Sequence, residues 1–196
     1  MTDALHLDPR RTAVLCMDFQ VGILQNFAGA DAAGLLERAA ALLDAARNAK
    51  AKVGYVKVGF RPGYPEISPN NPSFSAIRSS GRFEGEAPGT EIHPSVVPHA
   101  GEFVVTKHRV GAFHGTDLDM ILRANGIDAL VLAGISTSGV VLSTLRHAAD
   151  ADYRTVVVTD CCTDPDADVH RVLTEKVFPR QATVANSVEV IAALRT

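Results

Sequence analysis

Along most of this chain, short unbroken apolar runs alternate with longer stretches whose apolar residues recur at helical spacing. This pattern constrains the fold more than any other feature. A strand with one wet face alternates apolar and polar residues, whereas a strand covered on both faces reads as a continuous apolar run. Runs of the second kind, separated by amphipathic helices, predict a mostly parallel sheet with helices on both faces. The runs are 12–18 (TAVLCMD), 52–59 (KVGYVKVG), 103–107 (FVVTK), 129–134 (ALVLAG) and 154–159 (RTVVVT), with a short sixth at 182–185 (ATVA). An Ala/Leu-rich helix is expected over 31–50. Thr116 and Asp119 match a capping-box pattern ahead of Leu118, Ile121 and Leu122, and Gly126 can close that helix in the left-handed conformation. Asp164 followed by Pro165 reads as an N-cap with proline at the first helical position. Val169, Val172, Leu173 and Val177 then form an apolar stripe. At 196 residues, the chain fits a single domain.

One region breaks the rhythm. Residues 60–100 hold seven of the ten prolines. So long a stretch without regular elements is uncommon unless it is functional or disordered. Phe60, Tyr64, Ile67, Phe74 and Ile77 can anchor it. It reads as a lid or subunit-contact segment, with a plain connector as the alternative.

Composition narrows the function classes. A net charge of -3, with basic residues dispersed, argues against nucleic acid or an anionic membrane as partner. No apolar run approaches the roughly 20 residues of a membrane helix. The stretch MTDALHLDPRR carries no apolar core of a secretory signal. Three cysteines, two of them adjacent, make no disulfide framework. No Cys or His pair has zinc-ligand spacing. The expectation is a cytoplasmic, reduced protein that acts on a small molecule without metal or cofactor.

In parallel sheets, ligands bind beyond the carboxyl ends of the strands. Polar residues at those ends are therefore the candidates. Asp18 closes the first run, and can act on substrate or cap the next turn. Lys107 closes the third run; it can face Asp18 across the strand tips and keep both groups ionised, or lie on the surface. After the fourth run comes Gly134-Ile135-Ser136-Thr137-Ser138-Gly139-Val140-Val141, a glycine- and hydroxyl-rich turn opening a helix. The unpaired N–H groups of such a turn can hold an oxyanion, or simply connect strand to helix. Arg61, just past the second run, can bind a carboxylate bidentately or sit at a surface or subunit contact. Phe19 and Phe113 are candidate pocket neighbours.

Asp18, Lys107 and the Gly134–Val141 turn, in this order, resemble the isochorismatase-like (cysteine hydrolase) superfamily. The matching stretches are AVLCMDFQVG at 13–22, VVTKHRVGAFHGTDLDMILRANGIDALVLAGISTSGVVLSTLRHAAD at 104–150 and VVVTDCCTD at 156–164. The resemblance implies a single-domain, doubly wound sheet of about six strands, and association into a homodimer or larger homo-oligomer. It implies a catalytic aspartate at Asp18, a catalytic lysine at Lys107, and oxyanion amides at Ser136 and Val140. It also implies a non-proline cis peptide at Ile135–Ser136. The family's nucleophilic cysteine falls at Val140, which cannot attack anything. Gly139 and Val141 offer no nucleophile, and Ser138 is a weak substitute. The metal-binding Asp and His of the family's nicotinamidases would fall in Gly59-Phe60-Arg61-Pro62-Gly63, which lacks both. True isochorismatases also lack the cysteine: they carry glycine there and use the aspartate with water. The expectation is thus a hydrolase working through Asp18, Lys107 and activated water. The alternative is a non-catalytic binding or assembly relative whose pocket Val140, Phe19 or Phe113 blocks. Cys16 is expected in the core, and Cys161 and Cys162 packed in the turn after the fifth run.

Overall fold

The computed structural model describes residues 5–27 and 31–195. Residues 1–4, the start of the stretch read for a leader, lie outside it. Six strands form one sheet: β1 (Thr12–Met17), β2 (Lys52–Val58), β3 (Phe103–Lys107), β4 (Ala129–Ile135), β5 (Arg154–Thr163) and β6 (Thr183–Ala185). Their order is β3-β2-β1-β4-β5-β6, and every pairing is parallel. The helices are α1 (Val21–Phe27), α2 (Ala32–Asn48), α3 (Pro72–Ser80), α4 (Leu118–Ala124), α5 (Leu142–Asp150), α6 (Ala167–Val172) and α7 (Ser187–Leu194).

The unbroken apolar runs have a direct cause. Val14 and Cys16 of β1 belong to a core on one face of the sheet, shared with Leu35, Leu42 and Val190 of α2 and α7. Ala13, Leu15 and Met17 belong to a second core on the other face, with Leu118, Leu122 and Leu145 of α4 and α5. Neither face of the strand meets water, so no position calls for a polar residue. The sheet order reverses between β1 and β4, and their carboxyl ends open the crevice in which such folds bind ligands.

Several local expectations shift. β5 continues to Thr163, so Cys161 and Cys162 lie inside the strand rather than after it. The N-cap of α4 is Asp117; Thr116 Oγ1 accepts instead from Leu118 N at 3.3 Å. Asp119 does not complete a capping box, because its carboxylate takes the Tyr153 hydroxyl at 2.8 Å. Gly126 does adopt the left-handed conformation, at φ +67°. The N-cap of α6 is Asp166, which accepts from Asp168 N and Val169 N. Asp164 is drawn off to Ser138 N at 2.7 Å. Val169 and Val172 are exposed at 37% and 39%, so the stripe they begin is only partly core.

The 60–100 segment is ordered. Asn71 caps α3 by accepting from Phe74 N, and Gly81 ends that helix at φ +66°. Phe60, Tyr64, Ile67, Phe74 and Phe83 are buried, with the Phe60 ring 5.6 Å from Tyr64 and 5.7 Å from Phe74. Buried Gln20 fastens the segment to β2, donating to Val58 O (2.9 Å) and Thr90 O (2.8 Å) and accepting from Val58 N (2.8 Å). Gly22 N donates to Gly89 O at 3.0 Å, an approach so close that a Cβ on Gly22 would meet that oxygen at 3.1 Å. Among the described residues, no helix is long and apolar enough to cross a membrane.

Candidate active site

Strand register explains how the first two candidates meet. Met17 pairs with Val56, and Val56 with Val105, so Lys107 ends β3 just beyond the level of Asp18. Its side chain reaches across the end of β2, and Nζ lies 3.0 Å from Asp18 Oδ2. Nζ also donates to Arg109 O at 3.1 Å. Asp18 itself has φ +61°, an uncommon conformation for a residue with a Cβ but one that aspartate tolerates better than most. Non-glycine residues held in this region cluster at functional sites.

Both groups are buried, Asp18 at 4% exposure and Lys107 at 3%. Burial pushes the Asp18 carboxyl above the ordinary carboxylate range, more strongly than the Lys107 ammonium and the nearby Val58 amide pull it down. Asp18 Oδ1 has no hydrogen-bond partner among the described residues. A buried polar atom left unpaired costs stability, so its retention calls for an explanation outside packing.

The turn after β4 forms beside this pair. Thr137–Val141 is one π-helical turn, with Ser136 as N-cap and a cis peptide at Ile135–Ser136, as the resemblance implies. Such turns recur at functional sites. Three of the amides are taken up within the protein. Gly139 N donates to Ser136 Oγ at 3.1 Å, Ser138 N to Asp164, and Val141 N to Ser136 O at 3.3 Å. Buried Thr137 bonds His170 Nδ1 at 2.8 Å, and burial lowers the pKa of that imidazole.

A cavity of about 390 Å³ opens between these elements. Asp18, Lys107, Ser136, Gly139 and Val140 line it together. The remaining expected neighbours lie elsewhere. Phe19 is wholly within the core, and Phe113 stacks on His147 with ring centroids 4.4 Å apart. Arg61 turns outward to Glu66, with 2.8 Å between Nη1 and Oε1 and a side chain 70% exposed, because that carboxylate lies only five residues along the same loop. In their place the 60–100 segment supplies Ser73, Phe74, Ile77, Arg82 and Phe83. Of these, the sequence singled out Phe74 and Ile77, as anchors only. Val140 forms part of the cavity wall and does not close it. Among the described residues, no group of three His, Cys, Asp or Glu side chains could hold a metal ion.

The model of the isochorismatase domain matches residues 12–189. The chain belongs to the isochorismatase family. It is 33% identical to the isochorismatase family protein YwoC of Bacillus subtilis over 181 residues, 92% of each chain. It is 29% identical to a maleamate amidohydrolase of Pseudomonas putida, covering 95% of this chain and 88% of that one. An isochorismatase family protein from Burkholderia thailandensis superposes with a TM-score of 0.85 at 30% identity, covering 99% of this chain and all of the other. The relatives of this chain include hydrolases, amidohydrolases among them, and the isochorismatase-like fold is the six-stranded parallel sheet described above.

Proposed function

We propose that the protein is a hydrolase of a small-molecule amide in which Asp18 activates water directly, with no cysteine nucleophile. The observation that carries this reading is the buried Asp18–Lys107 pair at 3.0 Å, with Asp18 Oδ1 unpartnered, beside an open cavity. Asp18 takes a proton from water as the water oxygen attacks the amide carbon. The new negative charge falls on the carbonyl oxygen, which we assign to the amides of Ser136 and Val140 at the start of the helical turn. The carbon–nitrogen bond then breaks, and Asp18 returns the proton to the departing nitrogen. A raised carboxyl pKa makes Asp18 a stronger base than an exposed aspartate, and Lys107 keeps it ionised. The amide class follows the amidohydrolase relative named above. A non-catalytic relative would have little use for an uncompensated carboxylate oxygen, since a buried ion pair is a weak source of stability.

Ammonia release from a panel of small carboxamides tests the reading. Asp18→Asn should lower kcat/KM by roughly 10²- to 10⁴-fold, the usual contribution of a positioned acid–base group. Mass spectrometry during turnover should show no acylated protein. Release of ammonia from no panel member, or undiminished activity in Asp18→Asn, would overturn it.

A further inference from the structure

The cavity holds two kinds of charge. Asp18 and Lys107 neutralise each other. Arg82, the remaining cation on its wall, has no such partner among the described residues. Among the described residues, no carboxylate lies within ion-pair distance of its guanidinium. Among those residues the guanidinium makes one hydrogen bond, from Nη2 to Gly22 O at 2.8 Å. A guanidinium has five N–H donors in a planar fork, so most of its donor capacity is unspent. The group is nevertheless held in place. Its Cζ sits 4.8 Å from the centroid of the Phe83 ring, and the Arg82 carbonyl accepts from the Tyr64 hydroxyl at 3.0 Å. Arg82 is half-buried, which weakens solvent competition for whatever it binds. Ile23, Phe74, Ile77 and Phe83 give the same cavity apolar walls.

The geometry points to Arg82 as the specificity-determining residue of the site: it receives the carboxylate of a substrate whose hydrolysable amide lies at Asp18 and whose apolar middle packs on Phe74, Ile77 and Phe83. The inference rests on the hydrolase reading for the identity of the reacting group. It adds the substrate class, a monoanionic carboxylate-amide with a hydrocarbon spacer. A carboxylate suits the site because its two oxygens match the guanidinium fork in one plane, and a single fixed arginine offers one such pairing. It also gives the 60–100 segment a role. The segment carries the residue that chooses the substrate, while the strand ends carry the chemistry.

The experiment uses pairs of equal length: the monoamides succinamate and adipamate against the neutral diamides succinamide and adipamide. Binding is measured by calorimetry on the full chain carrying Asp18→Asn and Lys107→Met together, so turnover does not interfere and no unpaired ammonium competes with Arg82 for the carboxylate. At least one monoamide should bind roughly tenfold to a hundredfold tighter than its diamide, the range expected for hydrogen bonds to a charged group. Arg82→Met should bring that ratio close to one, and Arg82→Lys should restore part of it, with circular dichroism checking the fold of each. Equal binding of acid and diamide, no binding of any of the four, or a preference that survives in Arg82→Met would overturn the inference. Each of those outcomes leaves the hydrolase reading to its own ammonia assay. Conversely, an Arg82-dependent preference in a wild-type protein that releases no ammonia supports the inference while removing the hydrolase reading.

Discussion

At the scale of single residues, the site depends on a contest over one proton. Burial raises the Asp18 pKa and the Lys107 charge lowers it, and burial prevails. If Asp18 is the base, kcat/KM rises with pH as the carboxyl ionises, and the rise is centred above the ordinary aspartate value. Lys107→Met removes the group that favours ionisation, so the same limb should move to higher pH while kcat falls. Parallel pH–rate profiles of the two proteins check this; a limb that moves to lower pH, or a rate that falls through this limb, would contradict the assignment. The same pair makes a prediction about stability. Asp18→Asn strands a buried ammonium and Lys107→Met strands a buried carboxylate, and each should cost about 3–5 kcal/mol near neutral pH. The double variant strands neither, so its loss should be well below the sum of the two. Urea unfolding of the four proteins closes the cycle, and simple additivity would mean that the charges do not depend on each other.

At the scale of elements, the turn from Ser136 to Val141 is a scaffold whose key position holds a methyl-bearing side chain. Val140 lines the cavity although it is only 2% exposed. A thiol installed there would sit near an ammonium and a helix start, both of which favour thiolate. Val140→Cys should therefore react with iodoacetamide faster at residue 140 than at Cys16, Cys161 or Cys162, with under about 1.5 kcal/mol of destabilisation. Peptide mapping after timed labelling would show it, and reactivity at 140 no greater than at the native thiols would indicate a closed pocket. The sequence showed the strands and this turn because their requirements are local. A run such as Ala13–Met17 reports burial on both faces by itself, and Asp18 and Lys107 stand out because each interrupts such a run at its end. Other features needed the assembled molecule. Asp164 and Asp166 both fit an N-cap beside Pro165, and only the pull of Ser138 N decides between them. Arg61 lies closer in sequence to a strand end than Arg82 does, yet Glu66 takes it outward. Arg82 reaches the cavity only because Gln20, Phe60 and the Gly22–Gly89 contact fold its segment back over the strand tips.

At the scale of the whole molecule, one sheet separates two cores, and the native cysteines are divided between them. Cys16 and Cys161 face one core and Cys162 the other, at 2%, 0% and 5% exposure. Burial raises all three thiol pKa values, that of Cys162 to about 12. An alkylating reagent needs thiolate and access, and the folded protein offers neither at these positions. β1 and β5, which carry the three thiols, both pair with the central strand β4. All three lie within strands of the sheet, so labelling requires the sheet to open at those strands. In buffer near pH 8, the three cysteines should alkylate slowly and at similar rates. Added urea should accelerate all three together, following the population of open molecules when closing is faster than labelling. Ammonia release should survive the same exposure in buffer, because the proposed chemistry uses Asp18 and water. Rapid labelling of Cys162 alone, with activity lost in step, would instead mean that the end of β5 opens onto the site, and would move the chemistry from the carboxylate to that thiol.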